Sequence, residues 1–498
     1  MNTGKRIVKN ISVLVIARIL CLVFGFYYTM YVARYLGAEA FGILSFALAF
    51  TAFLGVLTDV GLQQLIIREV AKERALLHKY LVNITVLKIL LCIIFFLVIE
   101  LIIYLSDYPG QTIKVIHLVA ISVAINAFTL MLYGAFFAYE RMEFAAIGRT
   151  VNSVLLLLLA LYAINQNLGV VGFASIYCVV NIILLVYAIG ILFWKLTISK
   201  SDIDLVFLKM ALKQAWPFGL IALFGAIRFS IDSIMLSYFI GNEAVGLYNA
   251  AKRLIMLLQF IPIAYFSAVF PVMSRFYVTS KESMKLLHEK SLKYFFIFSV
   301  PIGIGTTLLA DKIISLIYGA DYLLSVPVLQ VLIWSLVIGF PTASFSVLFN
   351  SMNRQKMVAW VTGSCSVLFL LFNLILIPKY GIIGAGIAHV VSNVAAFILF
   401  AAIWFVKVGY DIPEKHANKI SAVSLVKTIY RIMLSSLMMF AFIQYAANSL
   451  NLFTLIPLSG VLYFSVLLIV KGIDKEDLLL FRSIFLERNP DNKDAGIK

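Results

Sequence analysis

Long apolar stretches separated by short polar breaks dominate the chain, and their lengths decide what they are. Crossing the hydrocarbon core of a bilayer takes about 20 predominantly apolar residues. Dividing the sequence at charges, Gly and Pro leaves runs of that order near 9–34, 40–66, 80–105, 113–138, 144–164, 168–194, 213–240, 246–273, 292–309, 324–349, 357–377, 382–406, 428–447 and 453–470. The pattern predicts an all-α polytopic membrane protein with 14 transmembrane helices. Its first run follows Lys5, Arg6 and Lys9, the flank of a signal peptide, yet continues to Arg34 without a small-residue cleavage pattern. It reads as a retained first span.

The polar breaks alternate in charge, and this orients the spans. Cytoplasmic connections carry the excess of Lys and Arg. With the N-terminus inside, the inner segments hold 31 of the 40 basic residues, from Arg68, Lys72, Arg74 and Lys79 to the run between Lys471 and Lys498. The outer turns hold only Arg34, Lys114, Lys312 and Lys379. Both termini are therefore expected in the cytoplasm. The net charge of +16 needs no nucleic acid: these cations face anionic inner-leaflet lipids.

Composition agrees with a lipid environment, since 63% of the residues are hydrophobic and 13% charged, against about 45–50% and about 25% in soluble domains. Cys21, Cys92, Cys178 and Cys365 lie in apolar runs without CxxC spacing, so neither disulfides nor a metal site is expected. The outer connections are too short to fold a glycosyltransferase or polymerase domain. The longest inner linkers, 195–212, 274–291 and 407–427, cannot hold a nucleotide-binding domain, and no GxxxxGK[ST] loop is present. No enzyme activity and no cofactor is expected.

A repeat organises the spans. YLGAEAFGIL at Tyr35–Leu44 returns as FIGNEAVGLY at Phe239–Tyr248, offset by 204 residues, NLGVVGFA at Asn167–Ala174 matches KYGIIGAG at Lys379–Gly386, and FFAYERM at Phe136–Met142 aligns weakly with FNSMNRQ at Phe349–Gln355. Each pair falls at the same place in its half. Six spans per copy is an even number, so the copies share orientation about an axis along the membrane normal, as in alternating-access transporters. The expected order is an N-lobe (1–196, spans 1–6), a linker (197–212), a C-lobe (213–406, spans 7–12), a linker (407–427), spans 13–14 (428–471) and a cytoplasmic tail (472–498). Within the phrase, Gly37 and Gly241 suit a left-handed helix end, Glu39 and Glu243 sit at the positive start of the next helix, and Gly42 and Gly246 allow close packing. That is first a tight helical hairpin, of topological value.

Along nearly its whole length the chain resembles the oligosaccharide flippases of the multidrug, oligosaccharidyl-lipid and polysaccharide exporter superfamily. The resemblance rests on IVKNISVLVIARIL, YLGAEAFGIL and DVGLQQLIIREVAK in the first half, and on SIDSIMLSYFIGNEAVGLYNAAKRL and LILIPKYGIIGAGIA in the second. It implies movement of a polyprenyl-diphosphate-linked glycan across a bacterial inner membrane for O-antigen or other surface polysaccharide. It also implies a polysaccharide polymerase and chain-length proteins as partners; a monomer is expected because both lobes of the pathway lie in one chain. Members often have twelve helices; a final pair, as at 428–470, is similar to the lipid II flippases and suggests a groove for the lipid tail or peripheral packing.

Charges inside the spans then become the candidate site, because an ionised side chain at mid-membrane costs about 2.5–3.5 kcal/mol on insertion scales. The cations are Arg18, Lys88, Arg228, Lys252 and Arg253; the acids are Asp59, Glu100 and Asp232. In related exporters spans 1, 2, 7 and 8 line the cleft between the lobes, and a cationic cleft suits a diphosphate, which Arg binds as a fork and Lys as a point charge. Each residue also has a structural reading. Arg228 and Asp232, four apart on one helical face, can neutralise each other; Lys88 can snorkel to the interface; of Lys252 and Arg253, about 100° apart, at most one faces the cleft. Asp59 and Glu100 lie near helix ends, as interfacial groups or as ion-coupling acids. His117 and His389 read as packed or hydrogen-bonding groups before proton carriers. Every proline but Pro109 follows residue 213, and Pro262 and Pro271 fall in span 8, so spans 7 and 8 are expected to bend more than spans 1 and 2. Two rivals share the fold: a lipid II flippase, and a cation-coupled multidrug exporter, which calls for an acidic cavity.

Overall fold

The computed structural model describes residues 3–195, 202–408 and 422–473. In chain order the helices are α1 (Thr3–Leu54), α2 (Leu62–Lys72), α3 (Leu77–Tyr104), α4 (Gly110–Ala138), α5 (Met142–Asn165), α6 (Val170–Lys195), α7 (Leu205–Phe239), α8 (Asn242–Leu258), α9 (Phe260–Thr279), α10 (Lys281–Tyr318), α11 (Val326–Ser351), α12 (Gln355–Ile403), α13 (Ala422–Ala446) and α14 (Leu452–Ile469), with no strand among the described residues. Lys200, Lys415, Lys419 and the tail from Asp474 onward lie outside the described residues.

Twelve helical stretches among the described residues are long and apolar enough to cross a membrane. The sequence expectation differs in number because its first run and the start of its second are continuous in α1, and its eleventh and twelfth in α12. At about 1.5 Å per residue, the 52 residues of α1 would reach about 78 Å, over twice the about 30 Å of a hydrocarbon core. Each of the two long helices bends at one glycine instead: Gly37 (φ 71°, ψ 175°) in α1 and Gly381 (φ 56°, ψ −135°) in α12. Gly241, the counterpart of Gly37, precedes α8 with φ 122° and ψ 176°. The repeated phrase thus builds one backbone twice, a positive φ with extended ψ that an L side chain resists.

The second run of each half is broken. In the first half α1 stops at Leu54, a 3-10 turn covers Gly55–Thr58 and α2 restarts after Gly61. In the second, α8 and α9 meet at Gln259, where the ring of Pro262 opposes the carbonyl of residue 258. Gly55 plus the offset of 204 is 259, so both halves break at the same place, one through glycines and one through proline. Pro271, expected to interrupt this run too, sits inside α9 without ending it.

Two segments expected as linkers contain helix among the described residues. Residues 274–291 are helical on both sides of Ser280, whose hydroxyl accepts the Ser283 N–H at 3.2 Å and caps α10. In 197–212, α7 begins at Leu205, capped by Asp204, whose carboxylate accepts the Phe207 N–H at 3.0 Å and meets Lys79 at 3.0 Å. The backbone N–H first, and the ammonium second, hold the Asp204 carboxyl below its ordinary range.

Packing follows the repeat. In the first half α1 packs on α5 and α4, and α4 on α6; in the second α11 packs on α10 and α12, and α12 on α7. The halves meet where α1 runs along α8 and α7, and where α2 touches α7. At this seam a methyl group on Gly42 would overlap the Asn242 carbonyl, and one on Gly246 the Ala38 carbonyl. Arg34 clasps the C-terminal end of α10 through the carbonyls of Ile317 (2.7 Å) and Leu316, and the Tyr322 hydroxyl donates to the Ala33 carbonyl at 2.8 Å. At the opposite ends, Gly61 packs on Ala215 and Phe218, and Arg68 donates to Gln214 at 3.1 Å. Helices α13 and α14 pack on each other and on α10, with the Tyr463 hydroxyl on the Ile297 carbonyl at 2.8 Å.

Candidate functional site

The α7–α8 hairpin brings opposite charges together because residues at similar distances from its turn become neighbours. Asp232, fully buried on α7, accepts from Lys252 of α8 at 2.7 Å and from the Tyr248 hydroxyl at 2.7 Å, while its other oxygen takes the Ser233 N–H at 2.7 Å. His389 of α12 approaches the same carboxylate at 3.4 Å, its ring packed on Phe369. Lys252 also donates to the Phe229 carbonyl at 2.8 Å, which uses two of its three donors.

Arg228 does not pair with Asp232, although both lie on one face of α7. That face fills the wedge between α8 and α12, and each side chain finds its partner on a different wall. Arg228 donates to Asn393 of α12 at 2.8 Å, and the Asn393 amide is fixed in turn by the Ser335 carbonyl at 3.1 Å. Asp232 and Lys252 cancel, whereas Arg228 has no acid bonded to it among the described residues. Arg228, Lys252, His389 and Asn393 line a cavity of about 570 Å³ within the second half, between α7, α8, α9, α11 and α12.

The other sequence candidates lie elsewhere. Lys88 does not snorkel: it is fully buried, with its ammonium 2.6 Å from Asp59 and 3.3 Å from the Thr58 carbonyl. Glu100 pairs with His117 at 2.7 Å, both partly exposed, so the two acids considered for ion coupling sit apart. Arg18 is exposed on α1 and makes no hydrogen bond or ion pair with any described residue. Arg253, next to the buried Lys252, is exposed and within electrostatic range of the Tyr28, Tyr177 and Tyr318 hydroxyls. Of the adjacent pair, Lys252 alone lines the cavity. Among the described residues no group of three or more His, Cys, Asp or Glu is placed to hold a metal ion.

A polysaccharide biosynthesis protein family profile matches residues 7–277, more than half of the chain. The chain belongs to that family. A second profile, MatE, matches residues 217–375, and together they put the chain in the multidrug, oligosaccharidyl-lipid and polysaccharide exporter superfamily. Among relatives, an uncharacterized membrane protein of Methanocaldococcus jannaschii is 25% identical over 73% of this chain and 76% of its own length. A protein named as an O-antigen transporter in Shigella flexneri is 24% identical over 72% and 88%. Among solved structures, the lipid II flippase MurJ in an inward closed conformation superposes with a TM-score of 0.74 at 18% identity, covering 94% of this chain and 99% of that one. The all-helical polytopic fold is that of the lipid II flippase structure over nearly the whole chain.

For this family member, sequence reasoning named Arg228, Asp232 and Lys252 but did not join His389 and Asn393 to them. The signal available was proximity to the hairpin turn, which pairs α7 with α8. Nothing in the sequence says that His389 and Asn393 of α12, more than 130 residues beyond Lys252, close the other wall.

Proposed function

We propose that this protein flips a polyprenyl-diphosphate-linked oligosaccharide from the cytoplasmic to the outer face of a bacterial inner membrane, by alternating access, for surface polysaccharide biosynthesis. The observation that carries the reading is Arg228: a part-buried guanidinium in a membrane cavity, held by a neutral amide and facing no acid. An uncompensated cation in such a place is costly, and a bound diphosphate offsets that cost with a bidentate, charge-assisted contact. Family membership and the O-antigen transporter name of a relative support the same substrate class. An acidic cavity of the multidrug type has no support here, since Lys252 already neutralises Asp232.

In this reading α1 and α12 each cross twice, so twelve apolar stretches make fourteen spans, arranged as six, six and two with both termini in the cytoplasm. The head group enters the wet space between the halves while the prenyl chain stays in lipid. Polar sugars gain a hydrated path, where each unsatisfied polar group in hydrocarbon would cost several kcal/mol. Arg18 and Arg253, exposed toward no acid, extend the positive lining, and α13–α14 form a flank along which the lipid tail runs. A lipid II flippase carries a diphosphate too, and the fold of MurJ keeps that second reading in view.

Flipping of a fluorescent lipid-linked oligosaccharide and of lipid II, measured side by side in proteoliposomes, tests both. Arg228→Ala should lower the rate at least about tenfold, the loss of one charge-assisted contact, without reducing insertion. Full rates in both Arg228→Ala and Arg18→Ala would refute the cationic site. Preference for lipid II would move the substrate to cell-wall precursor.

A further inference from the structure

We propose that the first half holds a second, separate subsite for an uncharged sugar unit, in a cavity of about 430 Å³ between α1, α4, α5 and α6. Three carboxamides converge on it, one from each of three helices: Asn126 from α4, Asn152 from α5 and Asn181 from α6. All three stand near the midpoints of their helices, the depth at which a polar side chain is most costly in a membrane protein. Asn181 donates to Ser122 at 2.6 Å, but Asn126 and Asn152 make no hydrogen bond to any described residue. A second orphan adjoins them: the Tyr133 hydroxyl, on a side chain 3% exposed, lies against Gly148 without a partner, and both residues belong to the cavity wall.

The charge at this site decides the ligand class. No acid lines the cavity, and its one cation, Arg149, is exposed, with its guanidinium 5.7 Å from the Phe137 ring. An amide offers two donors and an acceptor oxygen, the same mixed capacity that a sugar hydroxyl presents. Carboxamides left unpaired in a nonpolar bundle cost free energy until such a partner arrives. A cationic ligand would meet no counter-charge here, an anionic one only the exposed Arg149 at the wall, and a hydrocarbon would leave the amides unsatisfied. The volume lies at the small end of the range for ligand pockets, about 300–1,000 Å³, which fits a short saccharide segment. The two halves thus divide one substrate: the cationic cavity of the second takes the diphosphate and the neutral cavity of the first takes sugar. This assignment rests on the reading of the chain as a carrier of diphosphate-linked glycans.

Binding to the full-length protein in nanodiscs separates the two ideas. The probes are farnesyl diphosphate, and farnesyl diphosphate carrying a hexose or an N-acetylhexosamine. Wild-type protein should bind the glycosylated probes more tightly. Asn126→Leu combined with Asn152→Leu should abolish that advantage, a loss of about tenfold for one or two neutral hydrogen bonds, and leave farnesyl diphosphate affinity unchanged. The Asn126→Ser, Asn152→Ser pair keeps polarity and should retain part of the advantage, with thermal melting of each variant as the control for folding. Arg228→Gln should weaken every probe by the same factor. The sugar subsite is overturned if wild type binds all probes equally, or if the leucine pair weakens all of them alike. If Arg228→Gln changes nothing, or no probe binds, the diphosphate reading itself falls.

Discussion

Lys88 and Asp59 form an ion pair whose two members are unequally placed, and the inequality predicts how each responds to removal. The Lys88 side chain is fully buried while that of Asp59 is 27% exposed. Asp59→Asn therefore strands an ammonium with no route to water, and should destabilise the protein by about 3 kcal/mol, the lower end for breaking buried pairs. Lys88→Met strands a carboxylate that is part-exposed and should cost clearly less. The double variant should recover most of the loss, as a cycle of coupled residues does. Thermal unfolding in detergent measures all three; a Lys88→Met protein less stable than Asp59→Asn would contradict the asymmetry. What the sequence revealed at this scale was which charges need an account, because hydropathy makes an intramembrane Lys or Asp conspicuous. Which partner each takes was not legible. Arg228 and Asp232 share a helical face by spacing, yet neighbouring helices on two sides offer each a closer partner than the other.

Glycine in the repeated hairpin works in two physically different ways, and substitution separates them. Gly37 has open space around the position of a Cβ, so Gly37→Ala meets only the backbone cost of φ 71°, about 1–3 kcal/mol, read as a lowered melting temperature. Gly42 is sterically closed: a Cβ there overlaps the Asn242 carbonyl across the seam. Gly42→Val should hold the halves apart at this end and cut flipping at least about tenfold. Gly25→Val, on the same helix with nothing near its Cβ position, should leave transport intact. Transport unaffected by Gly42→Val would mean that this contact has no part in the cycle. The phrase itself was legible as a repeat and as a tight turn, because glycine at a helix end has few other uses. That its two copies pack on each other was not legible, since a sequence repeat gives the internal form of each half and says nothing about how the halves face.

At the scale of the whole molecule, the two halves touch at both ends of their seam. One end is joined by Gly42 with Gly246 and by Arg34 on the α10 terminus; the other by Gly61 on α7 and by Arg68 with Gln214. A carrier passing a polar head group between the halves has to release these contacts in turn, because while both hold, the halves cannot separate at either end. The break in the first half at 55 separates α2, which touches α7, from the main part of α1, which packs on α8. Hydropathy made the long apolar stretches readable, since those depend on each segment and the solvent alone. The contacts that join the halves depend on shape between segments distant in sequence, and no local pattern encodes them. Cysteines at positions 68 and 214, introduced after replacing Cys21, Cys92, Cys178 and Cys365, should join α2 to α7 through a short bifunctional thiol reagent and stop flipping in proteoliposomes. Cross-linking of either single-cysteine protein should have no effect, and a cleavable reagent should restore the rate on cleavage. A fully cross-linked protein that still flips at the uncross-linked rate would mean that α2 and α7 never part, and the passage would have to open along another boundary, between α1 and α8.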